Sequence, residues 1–173
     1  LVATDPDADR LGVEIRQPDG SYLNLSGNQI GAIIAKYILE AHKTAGTLPE
    51  NAALCKSIVS TELVTKIAES YGATMFNVLT GFKFIAEKIQ EFEEKHNHTY
   101  MMGFEESFGY LIKPFVRDKD AVQAVLLLTE VAAHFKNEGK TLYDGLQALY
   151  AKHGYFLEKT ISVTVAGLEG PQK

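Results

Sequence analysis

ALCKSIVSTELVTKIAESYGATMFNVL, residues 53–79, holds a complete strand–helix–strand pattern and decides the fold. Ala53 to Ser60 is an apolar run of strand length, Glu62 to Tyr71 has the spacing of an amphipathic helix that stops at Gly72, and Ala73 to Leu79 is a second strand. The pattern continues outward with a helix from about Phe82 to Lys95 and a third strand over Thr99 to Phe104. Strands alternating with helices imply parallel pairing, because each crossover helix must cover a face of the sheet. The reading is therefore α/β: a three-layer α/β/α domain with a mixed, largely parallel sheet. On the N-terminal side, Ser26 can cap a helix from Gly27 to His42 that carries Ile30, Ile33, Ile34, Tyr37 and Ile38 at helical spacing. On the C-terminal side, Asp118 can cap a helix running to about Asn137, Leu142 to His153 reads as another, and Tyr155 to Ala166 as a last extended segment. Residues 167–173 read as a linker or tail.

Before Ser26 the pattern changes. Leu11 to Ile15 and Ser21 to Leu25 alternate around Pro18-Asp19-Gly20, a strong turn signal, and predict a β-hairpin. Residues 1–25 thus read as a strip of a different domain, and a chain that opens on Leu1-Val2-Ala3 reads as a piece of a longer polypeptide starting inside a buried strand. Between that strand and the hairpin lies Thr4-Asp5-Pro6-Asp7-Ala8-Asp9-Arg10. A tight loop can turn the carboxylates of Asp5, Asp7 and Asp9 on one point, where mutual repulsion either raises their pKa values or is relieved by a cation. Hard oxygen ligands without His or Cys favour Mg²⁺ or Ca²⁺ over zinc. An EF-hand fails, because Arg10 stands where its loop needs Gly and Arg16 where it needs a bidentate Glu. The plainer alternative is a solvated acidic turn, but Arg10 beside the carboxylates suits a phosphate oxygen, which its planar fork can meet while a metal takes another.

Further loops fall at strand ends, where ligands of parallel sheets bind. In Thr80-Gly81-Phe82-Lys83, Thr80 is a candidate N-cap, while Lys83 sets a cation against the positive end of the helix dipole. That placement makes sense if the free N–H groups of Gly81 and Phe82 receive an anion; otherwise Lys83 pairs with Glu87 one turn on. In Gly103-Phe104-Glu105-Glu106-Ser107-Phe108-Gly109, carboxylates and a hydroxyl can hydrogen-bond sugar hydroxyls where glycines let a ligand approach. Arg117-Asp118-Lys119-Asp120 is a basic pair or simply a solvated cap. The histidines at 42, 96, 98, 134 and 153 sit at helix ends or in loops and read as surface residues.

The chain has 173 residues, 46% hydrophobic and 23% charged, enough for a sizeable core. A formal net charge of −5 with no basic run argues against a nucleic-acid surface. No apolar run approaches the roughly 20 residues of a spanning helix, and no signal peptide is visible, so a soluble, cytoplasmic protein without membrane contact is expected. The single Cys55 precludes an internal disulfide and reads as a small buried hydrophobe.

Taken in order, these segments resemble the motifs of the α-D-phosphohexomutase superfamily, the phosphoglucomutases and phosphomannomutases: D-x-D-x-D-R at Asp5 to Arg10, T-G-(aromatic)-K at Thr80 to Lys83, G-E-E-S-F-G around Glu105 to Gly109, and R-(D/E)-K-D at Arg117 to Asp120. Phe104 departs from the glycine many members have before the glutamate, and this G-F-E-E form is similar to the branch that includes phosphopentomutases. The resemblance implies that Asp5, Asp7 and Asp9 hold Mg²⁺, that Arg10 and Lys119 are catalytic, and that Thr80, Gly81, Lys83, Glu105, Ser107, Arg117 and Lys119 bind the sugar phosphate. It implies the end of domain 2 over residues 1–25 and the sugar-binding domain 3 over 26–166, without the catalytic serine loop of domain 1 or the phosphate loop of domain 4. The parent would then be an intramolecular phosphotransferase, a phosphoprotein of glucose metabolism interconverting glucose 1-phosphate and glucose 6-phosphate through glucose 1,6-bisphosphate, and the isolated chain would be inactive. Phosphomannomutase or phosphopentomutase activity of the parent is the alternative. A non-catalytic sugar-phosphate-binding module is another. An Asp-nucleophile phosphatase is weaker, since Asp9-Arg10 stands where D-x-D-x-T needs Thr.

Overall fold

The computed structural model describes residues 1–159. The tail over 167–173 and the last extended segment from 160 on lie outside the described residues, while residues 154–159 form no strand.

The expected alternation is present. Strands β1 (Val2–Thr4), β2 (Leu11–Arg16) and β3 (Tyr22–Asn24) form a small antiparallel sheet in that order. The second sheet has the order β5-β4-β6-β7, from β4 (Ala52–Ser57), β5 (Thr74–Val78), β6 (Thr99–Glu105) and β7 (Gly109–Leu111). Its β4 pairs in parallel with β5 and β6, and β7 returns antiparallel along β6. The helices are α1 (Gly27–Thr44), α2 (Glu62–Ser70), α3 (Phe82–Lys95), α4 (Ala121–Asn137) and α5 (Leu142–His153). The sheet separates two cores. Residues such as Ile30, Ile34, Leu54, Ile67, Met102, Leu128 and Leu146 fill one, while Cys55, Phe82, Ile85, Ile89, Phe92 and Leu111 fill the other under α3. This is the three-layer α/β/α arrangement with a mixed, mostly parallel sheet.

The small sheet is not separate from it. Leu11, Val13 and Ile15 alternate inward along β2 and join the larger core. β1 proves to be an exposed edge strand rather than the end of a buried one. The strand expected over Ala53 to Ser60 ends at Ser57, because residues 58–61 turn toward α2, with the Ser60 N–H donating to the Ser57 carbonyl at 3.0 Å. Ser26 caps α1 as expected: its hydroxyl accepts from the Gln29 N–H and Gln29 Oε1 accepts from the Ser26 N–H, a full capping box. For α4 the cap is Asp120, not Asp118: the Asp120 carboxylate accepts from the Gln123 N–H at 3.1 Å. Asp118 is drawn instead to Lys119.

Candidate active site

The loop between β1 and β2 is folded by its own hydrogen bonds. Ala8 takes a positive φ of 56° and donates its N–H to the Asp5 carbonyl, while Asp5 Oδ1 accepts from the N–H groups of Asp9 at 3.2 Å and Arg10 at 3.1 Å. One oxygen from each of Asp5, Asp7 and Asp9 thereby comes within 4.8 Å of the others. Repulsion does not raise the Asp5 pKa. Desolvation pushes it up, but the Arg10 N–H and the hydrogen bonds from Asp9 and Asp7 outweigh that and leave it lowered. Among the described residues Asp9 Oδ1 is buried without a hydrogen-bond partner, and the Arg10 Nε lies 3.6 Å away, beyond hydrogen-bond reach. A buried carboxylate oxygen is costly to leave without a donor or cation. Three converging hard oxygens with one such orphan fit a divalent cation such as Mg²⁺ or Ca²⁺.

At the start of α3 the sequence reading needs correction. Thr80 is exposed and caps nothing; Gly81 occupies the N-cap position, with no side-chain cap. Nor is the Gly81 N–H free, since it donates to Glu105 Oε1 at 2.7 Å. A carboxylate thus sits at the positive end of α3, which satisfies the dipole from within the protein. Lys83 is exposed over the Phe84 ring, 4.9 Å from its centroid, and not paired with Glu87.

Glu105 ends β6 and is 6% exposed, while Ser107 is half-buried in the turn to β7. That turn is strained: Phe108 takes φ 68°, a conformation that bulky residues rarely adopt outside functional sites. Two contacts hold it there. The Phe108 carbonyl accepts from the Leu11 N–H at 3.1 Å, and Gly109 bridges to Arg10. The metal-type loop and the 105–109 turn are therefore directly joined.

Lys119 links the remaining parts. Its Nζ lies 2.9 Å from Asp118 and 3.2 Å from Asp9 Oδ2, and 5.4 Å from the centroid of the Phe82 ring at the start of α3. Burial lowers its pKa, but the two carboxylates outweigh that and raise it, so the side chain stays an ammonium ion. Gly109 makes room for it; a Cβ there would stand 2.2 Å from the Lys119 Cδ. Arg117, by contrast, turns its guanidinium away to Glu93 and to the Pro114 carbonyl, although the residue lines a depression of about 390 Å³ with Asp7, Asp9 and Lys119. Asp5, Asp7, Asp9, Arg10, Gly81, Glu105, Ser107 and Lys119 are thus brought together, and Thr80, Lys83 and Arg117 stand at the rim or point off. Sequence reasoning missed the Phe82 ring under Lys119 and the partners of Glu106. The aromatic after Gly81 was the available signal for the first; nothing local marked the second. Of the histidines, His98 departs from the surface reading, its ring lying 4.9 Å from Phe76 and 5.1 Å from Phe92 between centroids.

Comparison with known proteins bears on this geometry. The family described as phosphoglucomutase/phosphomannomutase, alpha/beta/alpha domain III, matches residues 26–153. Over its whole length the chain is 43% identical to a phosphoglucomutase of Staphylococcus epidermidis, of which it covers 31%. Among solved structures, a protein assigned as a phosphomannomutase from Thermus thermophilus superposes with a TM-score of 0.69 at 28% identity, over 88% of this chain and 30% of that one. Aspergillus fumigatus N-acetylphosphoglucosamine mutase, solved with GlcNAc-6P and magnesium, shares the fold at a TM-score of 0.62 and 16% identity, over 86% of this chain and 32% of that one. The chain spans about 30% of the length of the curated relatives it matches.

Proposed function

The chain belongs to the phosphoglucomutase/phosphomannomutase family through its alpha/beta/alpha domain III, and from that premise we propose that it supplies the metal loop and the sugar loop of a phosphoglucomutase-type enzyme. The full-length protein interconverts sugar 1-phosphate and sugar 6-phosphate through a bisphosphate. Residues 1–25 are the end of a preceding domain, residues from 26 on form the sugar-binding domain, and the donor serine and a further phosphate loop lie elsewhere in the protein. The observation that carries this reading is the position of Lys119: its ammonium meets the acidic loop at Asp9 and lies over the Phe82 ring at the start of α3, while its methylene stem packs against the turn at Gly109. Four sequence motifs scattered over residues 5–120 meet at one side chain.

In this reading Asp5, Asp7 and Asp9 hold Mg²⁺, as the magnesium in the Aspergillus relative suggests. The bound cation would offset charge on phosphoryl oxygens. Arg10 offers its fork to a phosphate oxygen from beside that loop, and Lys119 changes partner from Asp118 to the phosphate that is not transferred. Glu105, with Oε1 held by Gly81, keeps Oε2 for a ring hydroxyl, and Ser107 supplies a second polar group. Lys83, at the rim, approaches the same phosphate on a flexible stem.

The test is an NMR titration of the labelled chain with glucose 6-phosphate and, separately, ribose 5-phosphate. Amides at Gly81, Glu105 to Gly109 and Lys119 are expected to shift together, with the hexose binding more tightly. Lys119→Ala should lower affinity about tenfold or more, the magnitude of a charge-assisted hydrogen bond to phosphate. Shifts that appear for neither sugar, in the chain or in the full-length protein, would sink the reading.

A further inference from the structure

Beneath the 105–109 turn lies a buried polar cluster to which the reading above gives no role. The hydroxyls of Ser57 and Ser60 are 2.7 Å apart, and both reach Glu106 Oε2, at 2.8 Å and 3.3 Å. Ser57 is fully buried and Ser60 nearly so. The Ser60 carbonyl in turn accepts from Lys56 Nζ at 3.1 Å, and that fully buried ammonium also meets Glu62 at 2.9 Å. The turn between β4 and α2 is therefore tied down on its own account and presents two hydroxyls to one carboxylate oxygen.

Glu105 and Glu106 face opposite ways, as neighbours at the end of a strand must. Glu105 reaches the Gly81 N–H; Glu106 reaches the serine pair. The main chain at Glu106 is fixed as well, since a Cβ on Gly27 would stand 2.0 Å from the Glu106 carbonyl oxygen, a contact that only glycine permits. Behind it, the Tyr110 hydroxyl donates to the Gly27 carbonyl at 2.9 Å.

We propose that Glu106 is a positioning residue: it clamps the 105–109 turn to the β4–α2 turn through Ser57 and Ser60, so that Glu105 and Ser107 keep the geometry the sugar needs, and it does not itself touch the sugar. This rests on the reading of the turn as a sugar site. With one proton on each hydroxyl, Ser60 can donate to Ser57 while Ser57 donates to Glu106; a neutral amide oxygen can end that relay as a carboxylate oxygen does, whereas an aliphatic side chain cannot. The clamp therefore depends on an acceptor and not on a charge.

The experiment is steady-state kinetics of the full-length protein with glucose 1-phosphate, alongside thermal unfolding. Glu106→Gln should keep kcat/KM within about threefold of the parent, while Glu106→Leu loses about tenfold or more, mainly as a rise in KM. Ser57→Ala with Ser60→Ala should reproduce the Glu106→Leu loss, and it carries the test if Glu106→Leu does not fold. If Glu106→Gln falls as far as Glu106→Leu and the serine double variant stays at the parental value, the carboxylate contacts sugar and the proposal is overturned. It is overturned equally if the serine double variant and Glu106→Leu both stay parental. Glu105→Gln separates the two levels: parental kinetics in that variant would remove the sugar-site reading itself, whatever the clamp does.

Discussion

At the scale of single residues, the sequence exposed the groups that carry charge but not the company they keep. Asp5, Asp7 and Asp9 were legible because three acids at alternate positions can hardly avoid sharing a point in space. Gly81 and Glu105 were legible separately, but not as donor and acceptor, since a bond between residues 24 apart depends on strand order. Lys56 shows the limit most clearly. Set in an apolar run, it is fully buried, and its charge is met by Glu62 from the first turn of α2. The Lys56 ammonium is the main cause of the lowered Glu62 pKa, helped by the Thr65 hydroxyl. A carboxylate with a lowered folded pKa adds stability at neutral pH, and that contribution disappears as pH falls through the folded value. Glu62→Gln should therefore destabilise the chain at pH 7 by about 1 kcal/mol, a modest figure because the Glu62 side chain is 57% exposed. Denaturant melts should show the two proteins converging below the ordinary glutamate pKa of 4.5. A gap that persists in acid would mean that packing, not the ion pair, is at stake.

Elements were read well where period and caps agree, and less well where a choice between adjacent polar residues is made by tertiary contacts. The helices over Phe82–Lys95 and Leu142–His153 have the expected bounds because their apolar faces repeat without interruption. β7 was missed: three residues after a strained turn offer too short a run for alternation to be seen. The start of α4 depends on a competition. Asp118 and Asp120 are both good caps by type, but Asp118 bonds the Lys119 N–H at 2.8 Å and its ammonium at 2.9 Å, so the helix begins two residues later. The Asp120 N–H is also held, donating to the Tyr110 carbonyl at 2.9 Å, which ties the cap to β7. Asp120→Ala should then cost about 1 kcal/mol in chemical unfolding, the usual value of an N-cap, and Asp118→Ala less than about 0.5 kcal/mol, as for an exposed pair. The reverse order would show that the cap observed here is not the one that matters.

For the molecule as a whole, the question is whether the acidic loop remains built when only this chain is present. It hangs between the two sheets: β2 enters the larger core, Leu11 bonds the turn at Phe108, and the Ala121 N–H at the start of α4 donates to the Ala8 carbonyl at 3.1 Å. A loop fastened to the packed domain at its middle and its C-terminal end, with β1 paired along β2 at the other, should stay formed without any other domain. Its affinity for Mg²⁺ is nevertheless expected to be weak, because three carboxylates fill only half of an octahedral shell and the Lys119 ammonium already lies against Asp9. Ligand binding to the folded state alone stabilises by about 1.4 kcal/mol at ten times Kd, which for a chain of this length is a rise in Tm of roughly 3–6 °C. Millimolar Mg²⁺ should therefore raise Tm by a few degrees, and Asp9→Asn should abolish the rise. Lys119→Ala should enlarge it, since the competing cation is gone. If Mg²⁺ leaves Tm unchanged in both the parent and Lys119→Ala, the loop does not hold the ion by itself; if calorimetry instead shows micromolar binding, the three aspartates with water suffice, and no group from outside the chain is needed to complete the site.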